Sequence, residues 1–256
     1  MRIVIRMVFM AMAWLGAVAV ASPGLCGFIQ TETDGSQTLV SQGRIKSVSN
    51  NPSEKQIIFD LKKGTLIVLD QQERVAASGT VEEYCGAVRK MTDMMAQRME
   101  RMKQQMEAQG MTDSSIPAHR GQGSVQEVRV ERMGPGESIA GYATEKYQVY
   151  ADGELYEEAW IATDSDLLRE IGNREALVRF QACASQMMGG NTVEATQDYK
   201  ELMTSGWLLK SIEYEEGYSD VMVDVSRIEA RSIPDSEFEI PSGYETVPLN
   251  RLFGMR

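Results

Sequence analysis

A chain of 256 residues carries 37 Asp and Glu against 26 Lys and Arg, a formal charge of −11. That balance repels phosphate backbones and anionic headgroups, which argues against nucleic acid as a partner and against charge-driven adsorption to a membrane surface. With one histidine, His119, and three cysteines, the residue supply for nucleophilic or metal chemistry is thin.

In chain order, Arg2 and Arg6 precede an uncharged run from Met7 to Ala21 that closes on small residues. This is the layout of a secretory signal peptide. The run is 15 residues long, short of the ~20 that a membrane span needs, so residues 1–21 are expected to be cleaved near Ala21. Residues 22–256 then form one mature domain located in the periplasm. The segment holds two arginines and no acid, so its loss deepens the charge from −11 to −13. An uncleaved anchor is the alternative, since the next charge is Glu32. Lipidation at Cys26 is another, although Leu25 stands where lipoprotein signals place a small residue.

From Thr38 the sequence reads as strands. Gln56 to Leu61 alternates with Ile57, Phe59 and Leu61 on one side, Lys62-Lys63-Gly64 turns, and Thr65 to Asp70 returns as a strand apolar on both faces, hence interior to a sheet. Thr80-Val81-Glu82-Glu83 is a capping box. It starts a helix over 81–109, whose apolar stripe includes Met91, Met95, Met99, Met102 and Met106. Methionine is flexible and polarizable, so such a face either adapts to varied ligands or fills uneven gaps in a core. Copper(I) binding would need these sulfurs to converge on one point, which a stripe does not require.

His119 sits in a Gly- and Pro-containing loop, Thr112 to Ser124. Strands resume at Val125 to Met133, followed by a hairpin of Thr144–Ala151 and Glu154–Thr163 about Asp152-Gly153. With those two residues as the loop, Val149 is expected opposite Tyr156 and Glu145 opposite Trp160. Asp164 is a plausible N-cap for a helix that Gly172-Asn173 interrupts and that resumes to Met187. A short helix covers Val193 to Thr204. The last hairpin is Trp207–Tyr214 and Tyr218–Ile228, with a parity slip that places a bulge near Ser226-Arg227. Separate helical blocks between antiparallel hairpins give the α+β class.

Three cysteines in an oxidising compartment invite a disulfide. Cys85 and Cys183 both fall in helices that should cover one sheet, which favours pairing them over buried free thiols. Catalytic constellations are missing: no Cys-x-x-Cys, no His-Glu-x-x-His and no phosphate-binding loop. Glu157-Glu158 and Glu215-Glu216 read as solvated edges rather than an acid–base pair. No metal and no cofactor is expected, and no enzyme activity.

The blocks Ile139 to Tyr147, Asp152-Gly153, Glu158 to Asp164 and Pro234 to Tyr244, with Ile58 to Gly64, resemble a pattern in exported bacterial proteins of a domain-of-unknown-function family related to the periplasmic lipoprotein carriers (LolA/LolB-like). The resemblance implies a strongly curved antiparallel sheet, an incomplete barrel, with helices covering its concave face. In the carriers that face shelters acyl chains. The expected function is therefore a non-enzymatic binding protein of a Gram-negative envelope that holds a lipid or other hydrophobic ligand, lined by Met95, Met99, Met102, Trp160 and Trp207. The alternative is a filled fold that docks on an envelope protein through its surface or senses stress.

Overall fold

The computed structural model describes residues 27–108, 125–185, 192–215 and 217–253. The expected signal segment, Cys26, His119 and Glu216 lie outside them. The first half is an antiparallel meander of β1 (Phe28–Glu32), β2 (Gln37–Ser41), β3 (Arg44–Val48), β4 (Gln56–Asp60), β5 (Thr65–Asp70) and β6 (Val75–Thr80). Helix α1 (Val81–Ala108) follows, then a second meander of β7 (Val128–Pro135), β8 (Thr144–Ala151) and β9 (Glu154–Ala162). Three helices, α2 (Ser165–Ile171), α3 (Glu175–Ser185) and α4 (Gln197–Ser205), precede the hairpin β10 (Trp207–Glu215) and β11 (Tyr218–Ala230). Strand β12 (Glu245–Pro248) returns to the far edge and lies parallel to β6.

The twelve strands of the described residues form one sheet, ordered β12-β6-β5-β4-β3-β2-β1-β11-β10-β9-β8-β7. The edges β12 and β7 do not pair, so the sheet is open and curved rather than a closed barrel, in the α+β class that the sequence implied. Two bulges bend β11. Ser226 is the extra residue between the Thr31–Arg227 and Glu32–Val225 pairs, at the position the parity slip marks. Met222 is extra between Ser211–Val223 and Ile212–Val221. Such insertions increase local twist.

Alternation along the strands sends Val40, Ile45, Phe59, Leu66 and Val68 to the inner face, where α1, α2 and α3 cover them. Leu39, Ile58, Leu69 and Ala76 point the other way and pack under Ile233 and Phe238 of the C-terminal segment. Arg44 and Lys46 clamp that segment through Asp235 and Glu237, at 2.6 and 2.9 Å. In the second half, Val149, Ala159 and Ile161 pack beneath α4 with Tyr199 and Leu202.

The α1 start is the capping box read from sequence: the Glu83 amide donates to Thr80 Oγ1 at 3.1 Å and the Thr80 amide to Glu83 Oε2 at 2.8 Å. Asp164 caps α2 by accepting from the Asp166 and Leu167 amides. Cys85 and Cys183 form a disulfide, with Cα atoms 5.3 Å apart, joining α1 to α3.

One pairing differs from expectation. The Asp152-Gly153 turn forms with φ of 51° and 86°, but Val149 lies opposite Glu157 and Glu145 opposite Ile161, because Tyr156 is a bulge residue between Leu155 and Glu157. The insertion turns Tyr156 toward Glu194, to which its hydroxyl donates at 2.8 Å.

Candidate ligand-binding site

The inner face is not completely filled. Between α3 and the sheet lies a cavity of about 230 Å³. Its position follows from the local sequence: α3 is an 11-residue amphipathic helix laid across β1 to β4, and Gly206 lets the chain pass from α4 into β10 at the cavity rim. A Cβ on Gly206 would come within 2.2 Å of Ile161 Cγ2 and 2.5 Å of the Ala162 carbonyl oxygen. Only glycine permits that approach.

Apolar walls come from Ile45 and Phe59 on the sheet, Leu177 and Val178 on α3, and Met203 and Val223 on the flanks. Besides Thr38, Ser47 and Gln181, polar groups enter at two places. On β1, residues 30 and 32 project to the same side by strand periodicity, and both line the cavity. The Trp207 indole N–H donates to Gln30 Oε1 at 2.8 Å, and the Gln30 amide donates to the Glu32 carboxylate. Burial first, then Asp34, raises the Glu32 carboxyl above the usual range, and Gln30 works in the opposite direction. Across from them Arg174, just before α3, donates an Nη2–H to the Thr204 carbonyl. Its Nε is buried without a hydrogen-bond partner, and burial pulls its guanidinium below the ordinary value.

The expected site residues separate. Trp207 lines the cavity. Trp160 does not: it is 7% exposed in the core, with Lys146 and Lys210 ammonium groups 4.7 and 5.0 Å from its ring centroid. Met95, Met99 and Met102 are 53%, 48% and 51% exposed, and so form neither a cavity wall nor a sealed core. The physical reason is length. Helix α1 has 28 residues and packs against the 11 of α3 and the short turn Leu249–Phe253, so only its first turns, through Val81, Cys85 and Val88, are buried. From Asp93 to Gln105 every residue is exposed.

The carboxylate pairs also separate. Glu158 is held below the usual range despite partial burial, because Lys146, Gln148 and Tyr214 bond to it. Glu157, read as a solvated edge, is 1% exposed. It faces Glu213 across the ladder, and its carboxyl is raised to about 7, chiefly by burial and then by Glu213 and Glu194, against hydrogen bonds from Tyr199 and Ser211. Among the described residues, no group of three or more His, Cys, Asp or Glu side chains is arranged to hold a metal ion.

The model of the family described as Domain of unknown function (DUF4412) matches residues 62–244. The chain belongs to the DUF4412 family. No curated protein matches it at a significant level. Within this DUF4412 chain the matched span contains both disulfide cysteines, Arg174, Leu177, Val178, Met203 and Trp207. Gln30, Glu32, Ile45 and Phe59, the opposite wall of the cavity, come before it. A short DUF4412-matched helix and a preceding meander thus build the site together. Arg174 and the β1 pair were missed in sequence, because a lone Arg after Gly172-Asn173 and a Gln-x-Glu step in a strand carry no motif.

Proposed function

We propose that this protein is a non-enzymatic, exported periplasmic protein that binds a small hydrophobic or amphipathic ligand between α3 and the sheet. The observation that carries this reading is the apolar cavity of about 230 Å³ with a few convergent polar groups, the composition typical of small-molecule sites. It lies below the ~300–1,000 Å³ common for such sites, which suits a short chain better than a full lipid. The resemblance to the lipoprotein carriers supports the choice of ligand class, and the layout of residues 1–21 supports export. A neutral naphthylamine probe tests the reading. Wild-type protein should bind it, and Val223→Trp, which fills the cavity, should not. A wild type that fails to bind, or a filled variant that binds equally, would overturn it.

A second reading rests on α1. Val88, Met95 and Met102 alternate at steps of seven with Thr92, Met99 and Met106, a coiled-coil seam, and its outer part is exposed. Arg98 and Lys103 flank it, so a partner helix with acidic flanks would complement it and a second copy of the same seam would not. Cross-linking from Met99→Cys in envelope extracts, with and without charge reversal at Arg98, tests this docking role.

A further inference from the structure

Arg174 is the one cation in the wall of the cavity. Among the described residues it forms no ion pair, whereas Arg44, Lys46, Lys146, Arg179 and Lys210 each meet a carboxylate. It is half-buried, it lines the cavity, and among the described residues its side chain makes one hydrogen bond, from Nη2 to the Thr204 backbone carbonyl. A buried guanidinium without a counter-charge is costly, because desolvation is offset only when an anion pairs with it. The Nε–H is sealed from the cavity, but Nη1 and the second N–H of Nη2 are left at the end of the planar fork, and a carboxylate can take two parallel hydrogen bonds from them.

Of the other polar residues on the wall, Gln30, Thr38, Ser47 and Gln181 are neutral, and the one carboxylate, Glu32, does not compete for that anion. Glu32 is engaged by Gln30, which is in turn fixed by Trp207, and Asp34 and Asp224 beside it disfavour its charged form. Glu32 and Arg174 approach the cavity from the sheet and from the covering helix and form no salt bridge with each other. The apolar walls between them leave room for a chain of limited length.

We infer that Arg174 is the head-group receptor of this cavity and that its ligand is a short-chain carboxylic acid, bound with the carboxylate on the guanidinium and the chain against Phe59, Leu177 and Val223. This rests on the cavity reading proposed above and names its ligand class.

Isothermal titration of the full mature chain with octanoate, octanol and octyltrimethylammonium, at fixed ionic strength, tests it. Wild-type protein should bind octanoate at least tenfold more tightly than octanol, and the ammonium more weakly than both. Arg174→Gln should abolish the preference, bringing octanoate affinity down to that of octanol for the same variant, and Arg174→Lys should keep part of it. Equal octanoate and octanol affinities would overturn the head-group role and leave the cavity reading standing. Tighter binding of the ammonium would also overturn it and assign the head contact to Glu32. If the folded wild type bound none of the three, both readings would fall. Should Arg174→Gln not fold, the wild-type ratio and the lysine variant still decide.

Discussion

Glu157 offers the sharpest test of the packing beneath α4. Its carboxyl is buried on the face shared with Ala159 and Ile161, opposite Glu213, with Glu194 nearby and Oε2 without a partner. Raising a carboxyl from 4.5 to about 7 corresponds to roughly 3 kcal/mol, at ~1.4 kcal/mol per tenfold change in proton affinity. The native state binds the proton more tightly than the unfolded chain. Between pH 4.5 and about 7 it therefore holds more protons, and stability falls as pH rises through that window. Below 4.5 both states are protonated and the penalty is absent. Above 7 it is fully present. Glu157→Gln keeps the shape and the ability to accept from Tyr199, and it removes the charge. The variant should be more stable than wild type by up to about 3 kcal/mol at pH 8, indistinguishable from it at pH 4, and flatter between. Urea unfolding at several pH values measures this. A variant destabilised at pH 8, or a wild-type profile that rises from pH 5 to 7 with Glu157→Gln rising in parallel, would refute the argument.

Other expectations follow from single contacts. Replacing both Cys85 and Cys183 by serine opens a loop of 98 residues and should lower stability by at most about 4–5 kcal/mol on the chain-entropy model, read by denaturant midpoint against the oxidised, disulfide-bonded wild type. Thr80→Ala removes one arm of the capping box and should cost about 1 kcal/mol, checked by thermal unfolding. Trp207→Phe leaves the buried Gln30 Oε1 without its donor and should cost about 1–3 kcal/mol; an unchanged melting temperature would contradict the bond. Met99→Lys, on the exposed stretch of α1, should stay within about 0.5 kcal/mol of wild type, and a large loss would mean that the stripe is covered.

Features of short range were readable in the sequence. The capping box at Thr80, the N-cap at Asp164, the Asp152-Gly153 turn and the Ser226 bulge each rest on a few adjacent residues whose chemistry has one common solution. What escaped depends on distant partners. The β2–β3 hairpin turns at Gln42-Gly43, with φ of 53° and 81°. Glutamine gives no turn signal there, and the strained amide is satisfied by the Glu170 carboxylate at 3.0 Å, from another element. The same holds for the site. Methionine periodicity correctly marked a helix, but whether its stripe is buried depends on the length of α3, which periodicity in α1 does not contain. Trp160 and Trp207 look alike in sequence, one under two lysines and the other on Gln30. Glu157 was read as a solvated edge because the bulge at Tyr156 and the cover of α4 are both non-local.

The seam between β1 and β11 carries a consequence for how the chain assembles. Phe28 pairs with Ala230 and Thr31 with Arg227, contacts that join nearly the two ends of the described chain. Pairings of such long range slow folding, because the loop must close before it is rewarded. A chain delivered N-terminus first therefore leaves the inner face of Phe28, Val40 and Ile45 uncovered until α1 to α3 have followed, and β1 with one bare flank until the final hairpin arrives. During that interval the early meander is an open edge able to recruit a neighbouring strand. Its safekeeping then falls to whatever attends the nascent chain, and the rate at which the last quarter of the sequence is supplied sets how long the hazard lasts.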